Sequence, residues 1–283
     1  MLCVVIAGCN KDTLDIDVID DNVIDFQTAV KTSTRADQTD LERDGFSVWG
    51  YYTANTGNTM VFDARKVYYS NGWRYDNPEY WVNNVPYTFY ALYPEYMEGQ
   101  DAYTLNGSTI TYDTSKQVDL LYAYFTCQGS VPVVPLNFNH ALAAIDFTLK
   151  LAGNYTATYK VTNMQWGGVY TQGSFTMGSG NITWNPIGDK GVIDITTFAD
   201  EELSTTAITN ADNHLLVLPQ SQTDASLTIT LDINGESKTI TKNIAINWEP
   251  GKRYTYNITI DPLEITIETT PWETPTIDDI VVQ

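Results

Sequence analysis

Few side chains in this sequence belong to the kinds that do chemistry, and their surroundings narrow what each can do. Cys9 closes the stretch Ile6-Ala7-Gly8-Cys9; a thiol behind small residues is a nucleophile that can take a lipid, on a backbone slim enough for a peptidase. Arg35 stands in TSTRAD, a cation among small hydroxyl and alanine residues in a chain of 35 acidic and 15 basic residues. It reads as a place to be cut between Arg35 and Ala36, the alternative being an incidental protease-sensitive loop. His140 and His214 each lie beside an apolar run, which favours core or edge histidines bonded to backbone over catalytic ones. Cys127, in LYAYFTCQG, is expected to be a small buried hydrophobe. With Cys3 near the start, the three cysteines make no disulfide framework. HExxH, GxSxG, a Walker loop and CxxC are all missing from the sequence. A pair of carboxylates of the glycosidase kind can assemble in space from any acidic chain. The expectation is a non-enzyme with no cofactor and no metal.

The elements that would position these residues begin with the opening MLCVVIAGCNKD. A short apolar run, small residues and then a cysteine follow the order of a secretory leader, and Ile6 to Cys9 resembles the bacterial lipobox, with residues 1–8 removed and Cys9 lipidated. The apolar run is short and lacks a preceding Lys or Arg; an ordinary leader is the alternative. No other stretch approaches the roughly 20 apolar residues that span a bilayer, so attachment to a membrane would be through lipid. In KDTLDIDVIDDNVIDFQTAV, Leu14, Ile16 and Val18, then Ile24, Phe26 and Thr28, recur with the period of a strand. Its acids lack the glycine and closing glutamate of a calcium loop.

The formal charge of -20 repels phosphates and anionic lipid, and no basic cluster reverses it locally, so nucleic acid is not an expected partner. Nineteen tyrosines and many threonines favour pleated sheet. From Phe46 onward short β-patterns follow one another, broken by Asn, Gly, Asp and Pro, which implies sandwiches or barrels. The clearest hairpin is SLTITLDINGESKTITKNI: Leu227, Ile229, Leu231 and Ile233 share one face, and Asn234-Gly235 supplies a primed turn. Only HALAAIDFTLK is ambiguous between strand and helix. The fold class expected is all-β, as two sandwiches dividing near residues 130–140.

Several strings together resemble the fimbrillins, pilus subunits of Gram-negative gut and oral anaerobes. They are IDFQTAV and TSTRAD, then FSVWGYY, YTFYALYP, DLLYA, LNFNHALAAIDFTLKL, HLLVLPQ, WEPGKRYTYNITI and ETTPWE, which span nearly the whole chain. The resemblance implies two tandem transthyretin-like antiparallel sandwiches, at 36–134 and 135–283. It also implies export as an outer-membrane lipoprotein and polymerisation in a cell-surface fimbrium that supports adhesion. Residues 9–35 would be a removable segment whose strand, carrying Ile24 and Phe26, fills a groove until an arginine-specific protease cuts after Arg35. The vacated groove would then take a donor strand from the tail of the next subunit, 272–283, through Trp272, Ile277, Ile280 and Val282. Implied partners are other fimbrial subunits, that protease, a lipid anchor before cleavage, and host or bacterial surface ligands. A tip or anchor subunit is a variant of this reading. A surface glycan-binding lipoprotein, using some of the seven tryptophans and nineteen tyrosines as a stacking platform, is the rival.

Overall fold

The structure, a computed structural model, describes residues 22–30, 36–99, 102–210, 213–261 and 265–272, with only the backbone of 265 and 270–272. Among them the regular structure is nearly all strand, with one α-helix and two single turns of 3-10 helix, as the alternating patterns require. One sheet has seven strands in the order Phe26–Val30, Val134–His140, Leu121–Gln128, Pro86–Tyr93, Phe46–Ala54, Gly57–Tyr69, Trp73–Arg74. Its neighbours run antiparallel except the first pair, where Phe26–Val30 lies parallel to Val134–His140. The strand PYTFYALY shows why this sheet reads as nearly continuous apolar sequence. Tyr87, Phe89 and Ala91 enter one core, while Tyr90 and Leu92 enter another on the opposite face, the pattern of a sheet covered on both sides. Gly50 is required in the neighbouring strand, since a Cβ there would meet the Phe89 ring at 2.8 Å.

The second half forms a sandwich in the stricter sense. Ala143–Leu151 lies between Arg253–Ile260, to which it runs parallel, and the short strands Ile208–Thr209 and Leu215–Val217. Facing it is a four-stranded sheet of Gly191–Asp194, Tyr159–Val169, Ser226–Ile233 and Glu236–Asn243. Between them Ile145, Phe147, Trp166, Leu227, Ile229 and Tyr256 are buried together. HALAAIDFTLK is thus a strand from Ala143 onward. The hairpin turns at Asn234 and Gly235, both with positive φ, and Leu227, Ile229 and Leu231 point into the core as their spacing requires.

Three features depart from the sequence reading. Two strand pairs are parallel; period-two alternation fixes which face is buried but not the direction of the neighbour. A helix, Gln38–Asp44, stands where no helix is expected. It is set by a capping box in which Asp37 Oδ1 accepts from the Thr39 and Asp40 N–H groups at 2.7 and 3.1 Å, and Asp40 Oδ2 accepts from Asp37 N–H at 3.0 Å. Leu41 anchors it in the core, and Gly45, at φ +79°, ends it. Third, the strands Thr104–Asn106 and Thr109–Asp113 of the first half share a sheet with Gln172–Thr176 and Asn185–Ile187 of the second. Beneath that sheet Trp49, Tyr90, Tyr112, Leu142, Phe175 and Leu216 form a core common to both halves.

Candidate strand-acceptor groove

The segment from Asn22 to Val30 alternates Ile24, Phe26 and Val30 inward with Asp25 and Gln27 outward. Ile24 is wholly buried. The strand pairs along its length with Val134–His140, from Phe26 against Val134 to Val30 against Phe138. At its start it is held from both sides. Val134 N–H donates to Asp25 O at 2.8 Å, while across the groove Ile24 N–H donates to Glu79 O and Trp81 N–H donates to Asn22 O, both at 2.9 Å. The Tyr75 hydroxyl donates to Ile24 O at 2.7 Å. Burial pushes the pKa of Tyr75 up to about 12, so the phenol stays a neutral donor across ordinary pH.

Phe26 sits in an aromatic box. Its ring meets Phe62, Tyr75 and Phe89 edge-on at centroid distances of 5.4, 5.7 and 6.1 Å, and Trp81 closes on Phe89 at 5.8 Å. Burying Ile24, Phe26 and Val30 contributes about 1.5–3 kcal/mol each. If the strand left, Phe62, Phe89 and Phe138 would lose their cover and Val134–His140 would become a sheet edge with open hydrogen-bonding groups, the usual template for another strand.

Arg35 lies outside the described residues, as do Cys9, Ile277, Ile280 and Val282. Of the cut expected between Arg35 and Ala36, the structure describes the far side. Ala36 is buried, and its N–H donates to Asp119 Oδ2 at 3.1 Å. The same carboxylate oxygen lies 2.9 Å from His140 Nδ1. Immediately downstream the capping box fixes Asp37 to Asp40. At the other end of the chain Ile265–Trp272 runs antiparallel to Arg253–Ile260, with the backbone of Trp272 opposite Arg253. Trp272 therefore closes a strand of its own subunit, and the rest of the expected donor lies beyond it.

The two histidines are buried, as expected, and Nδ1 of each meets a carboxylate that was not anticipated. His140 faces Asp119. His214 Nδ1 and Arg253 Nε both contact the Asp146 carboxylate, which is 2 % exposed, tying Ala143–Leu151 to Arg253–Ile260 and to the approach of Leu215–Val217. Sequence reasoning passed over Asp119, Asp146 and Tyr75. A signal existed for Asp146, since an acid inside AAIDFTL has to find cationic partners if the strand is buried on both faces. Cys127 is half-buried against the first core, where burial pushes its thiol up. Among the described residues, no group of three or more His, Cys, Asp or Glu is placed to hold a metal ion, and no helix is long and apolar enough to cross a membrane.

Compared with known proteins, residues 34–275 match the model of a family described as fimbrillin-like. Among solved structures, a fimbrial protein from Bacteroides vulgatus ATCC 8482 superposes with a TM-score of 0.69 at 19% identity, covering 89% of this chain and 99% of its own. A candidate cell adhesion protein from Bacteroides uniformis ATCC 8492 superposes at 0.59, also at 19% identity, covering 89% and 98%. At such identities the likeness is one of fold. No curated protein matches this sequence.

Proposed function

This chain belongs to the fimbrillin-like family, a membership that supports a fimbrial subunit at the cell surface, and from that premise we propose how it is made and assembled. It is a structural subunit, not an enzyme, exported as a lipoprotein through Cys9 and held at the outer membrane by that lipid. An arginine-specific protease cuts after Arg35. The strand Phe26–Val30 then leaves, and the groove takes a strand from the 272–283 region of a neighbouring subunit, a form of β-strand addition. Head-to-tail donation has no natural closure, so it yields filaments. Two units, dividing after the strand Val134–His140, carry acceptor and donor respectively.

The observation that carries this reading is the seating of Ile24 and Phe26. Phe26 opens a strand at the edge of its sheet, parallel to Val134–His140, and Ile24 just before it is bridged across the groove to Glu79; both are deeply buried, and the chain continues from the strand into the short stretch holding Arg35. A strand so placed can be exchanged without unpicking the sheet behind it. Digestion of the purified protein with an arginine-specific protease tests the proposal by N-terminal sequencing and electron microscopy. A terminus at Ala36 with filaments or an SDS-resistant ladder is expected; a clean cut that leaves a stable monomer, or resistance at Arg35, overturns the shaft-subunit reading. Cys9→Ala is expected to abolish incorporation of labelled fatty acid, and undiminished labelling removes the lipoprotein step.

The rival, a glycan-binding lipoprotein, would have to use a surface such as the cleft between Tyr51, Asn58, Met60, Tyr90 and Met177. Sugar-dependent quenching of tryptophan fluorescence without polymerisation would favour it.

A further inference from the structure

The carboxylate of Asp119 and the ring of His140 form a buried polar pair that the strand-exchange reading does not use. Asp119 is 6 % exposed and His140 2 %. Both are fixed by the sheet: Leu121, two residues after Asp119, is opposite His140 in the strand register, and Ala141 N–H donates to Leu120 O at 2.7 Å. The carboxylate cannot drift without moving that ladder. Its Oδ2 holds the backbone N–H of Ala36 at 3.1 Å. That nitrogen belongs to the peptide bond that processing would break.

We propose that Asp119, backed by His140, is a preformed receptor for the α-ammonium group that cleavage after Arg35 creates on Ala36. The inference rests on the cleavage reading above and adds what holds the new end. Hydrolysis breaks the bond between the Arg35 carbonyl carbon and the Ala36 nitrogen. Water gives its hydroxyl to that carbon and a proton to the nitrogen, and the resulting amine takes a further proton from solvent to become an ammonium. One neutral N–H donor thereby becomes a cation with three, already within hydrogen-bond reach of a buried carboxylate, and charge-assisted bonds of this kind are about twice as strong as neutral ones. The next residues keep it there. Asp37 N–H is tied to Asp40 Oδ2, and Leu41, fully buried, pins the helix behind it. The two products of the cut are thus unequal. The Arg35 end departs with its strand, while the Ala36 end is gripped more tightly than before, so the helix Gln38–Asp44 stays docked while the groove beside it empties.

The test uses the full chain carrying Thr32→Ile, Ser33→Glu and Thr34→Gly, a site that factor Xa cuts after Arg35. After cutting, the Ala36 amine is acetylated at pH 7.5 with isotope-labelled reagent, and its rate is compared by mass spectrometry with that of the free peptide ADQTDLER. The receptor predicts acetylation about seven-fold slower than in the peptide, the loss of free amine at pH 7.5 when an α-amino group of ordinary basicity becomes ten times more basic. Asp119→Asn in the cut protein is expected to restore the peptide's rate. Equal rates for cut wild-type protein and peptide overturn the proposal, and this comparison stands even if Asp119→Asn fails to fold. Protection in the engineered protein together with resistance of the natural Arg35 site to an arginine-specific protease would sink the processing reading while leaving the receptor intact.

Discussion

Phe26→Ala is expected to lower the stability of the uncut chain by about 3–5 kcal/mol, the usual cost of emptying a buried phenylalanine site, and to leave the assembled filament as stable as wild type. The first half follows from the aromatic box. Phe62 and Phe89 project from two strands of a paired sheet, and Tyr75 is committed to Ile24 O, so the walls cannot close over the space that the ring vacates. The second half follows from the exchange: a strand discarded on cutting contributes nothing afterwards, whatever residue it carries. Urea unfolding of the uncut protein measures the loss, and heat dissociation of filaments in SDS measures its disappearance. A deficit that persists into the filament would mean that the strand never leaves. Because the mutant strand is held less firmly, its release after cutting is also expected to be faster.

The next largest effect is expected at Asp146. Asp146→Asn should cost about 3–5 kcal/mol, since removing one member of a buried ionic group strands the others in a low-dielectric interior. His214 reaches the carboxylate from just before Leu215–Val217 and Arg253 from the start of Arg253–Ile260, so the loss should appear as unfolding of the second half, read by quenching of the buried Trp166 and Trp248. His214→Gln added to Asp146→Asn should cost much less than the sum of the two single changes, because both remove one network. Additive losses would show that the three residues do not act as a unit. The filament-forming groove lies in the other half, and Asp146→Asn is not expected to change the site of cutting.

The sequence made legible those parts of the structure that depend on local pattern. Leu227, Ile229 and Leu231 share a face because strand geometry demands it, and Asn234-Gly235 turns because few other pairs tolerate positive φ twice in succession. Ile24 and Phe26 were visible as one side of a strand for the same reason. What stayed hidden depends on partners far along the chain. Nothing in Phe26–Val30 declares that its neighbour begins at Val134, or that the pair is parallel. The strands Thr109–Asp113 and Gln172–Thr176 meet across about 60 residues, and neither segment carries a mark of the other. The helix Gln38–Asp44 escaped because its capping box ends in Asp40, where the common signature has Glu or Gln. His140 and His214 were legible as buried but not as partners of Asp119 and Asp146, since an acid in a strand pattern reads first as a solvent-facing residue. Arg35 drew notice only because cations are scarce in this chain.

The sheet shared between the two halves has a mechanical consequence. The chain crosses once from the strand ending at His140 to the one beginning at Ala143, and that crossing alone would make a hinge. Five consecutive pairings, from Thr109 against Thr176 to Asp113 against Gln172, bridge the same gap, with Trp49, Tyr112, Phe175 and Leu216 packed beneath them. Bending at the crossing would shear that ladder and open that core together. A load applied at one end of the subunit therefore passes to the other through many weak bonds in parallel, as in a beam. A filament built from such subunits would flex at the joints between them and stay stiff within each.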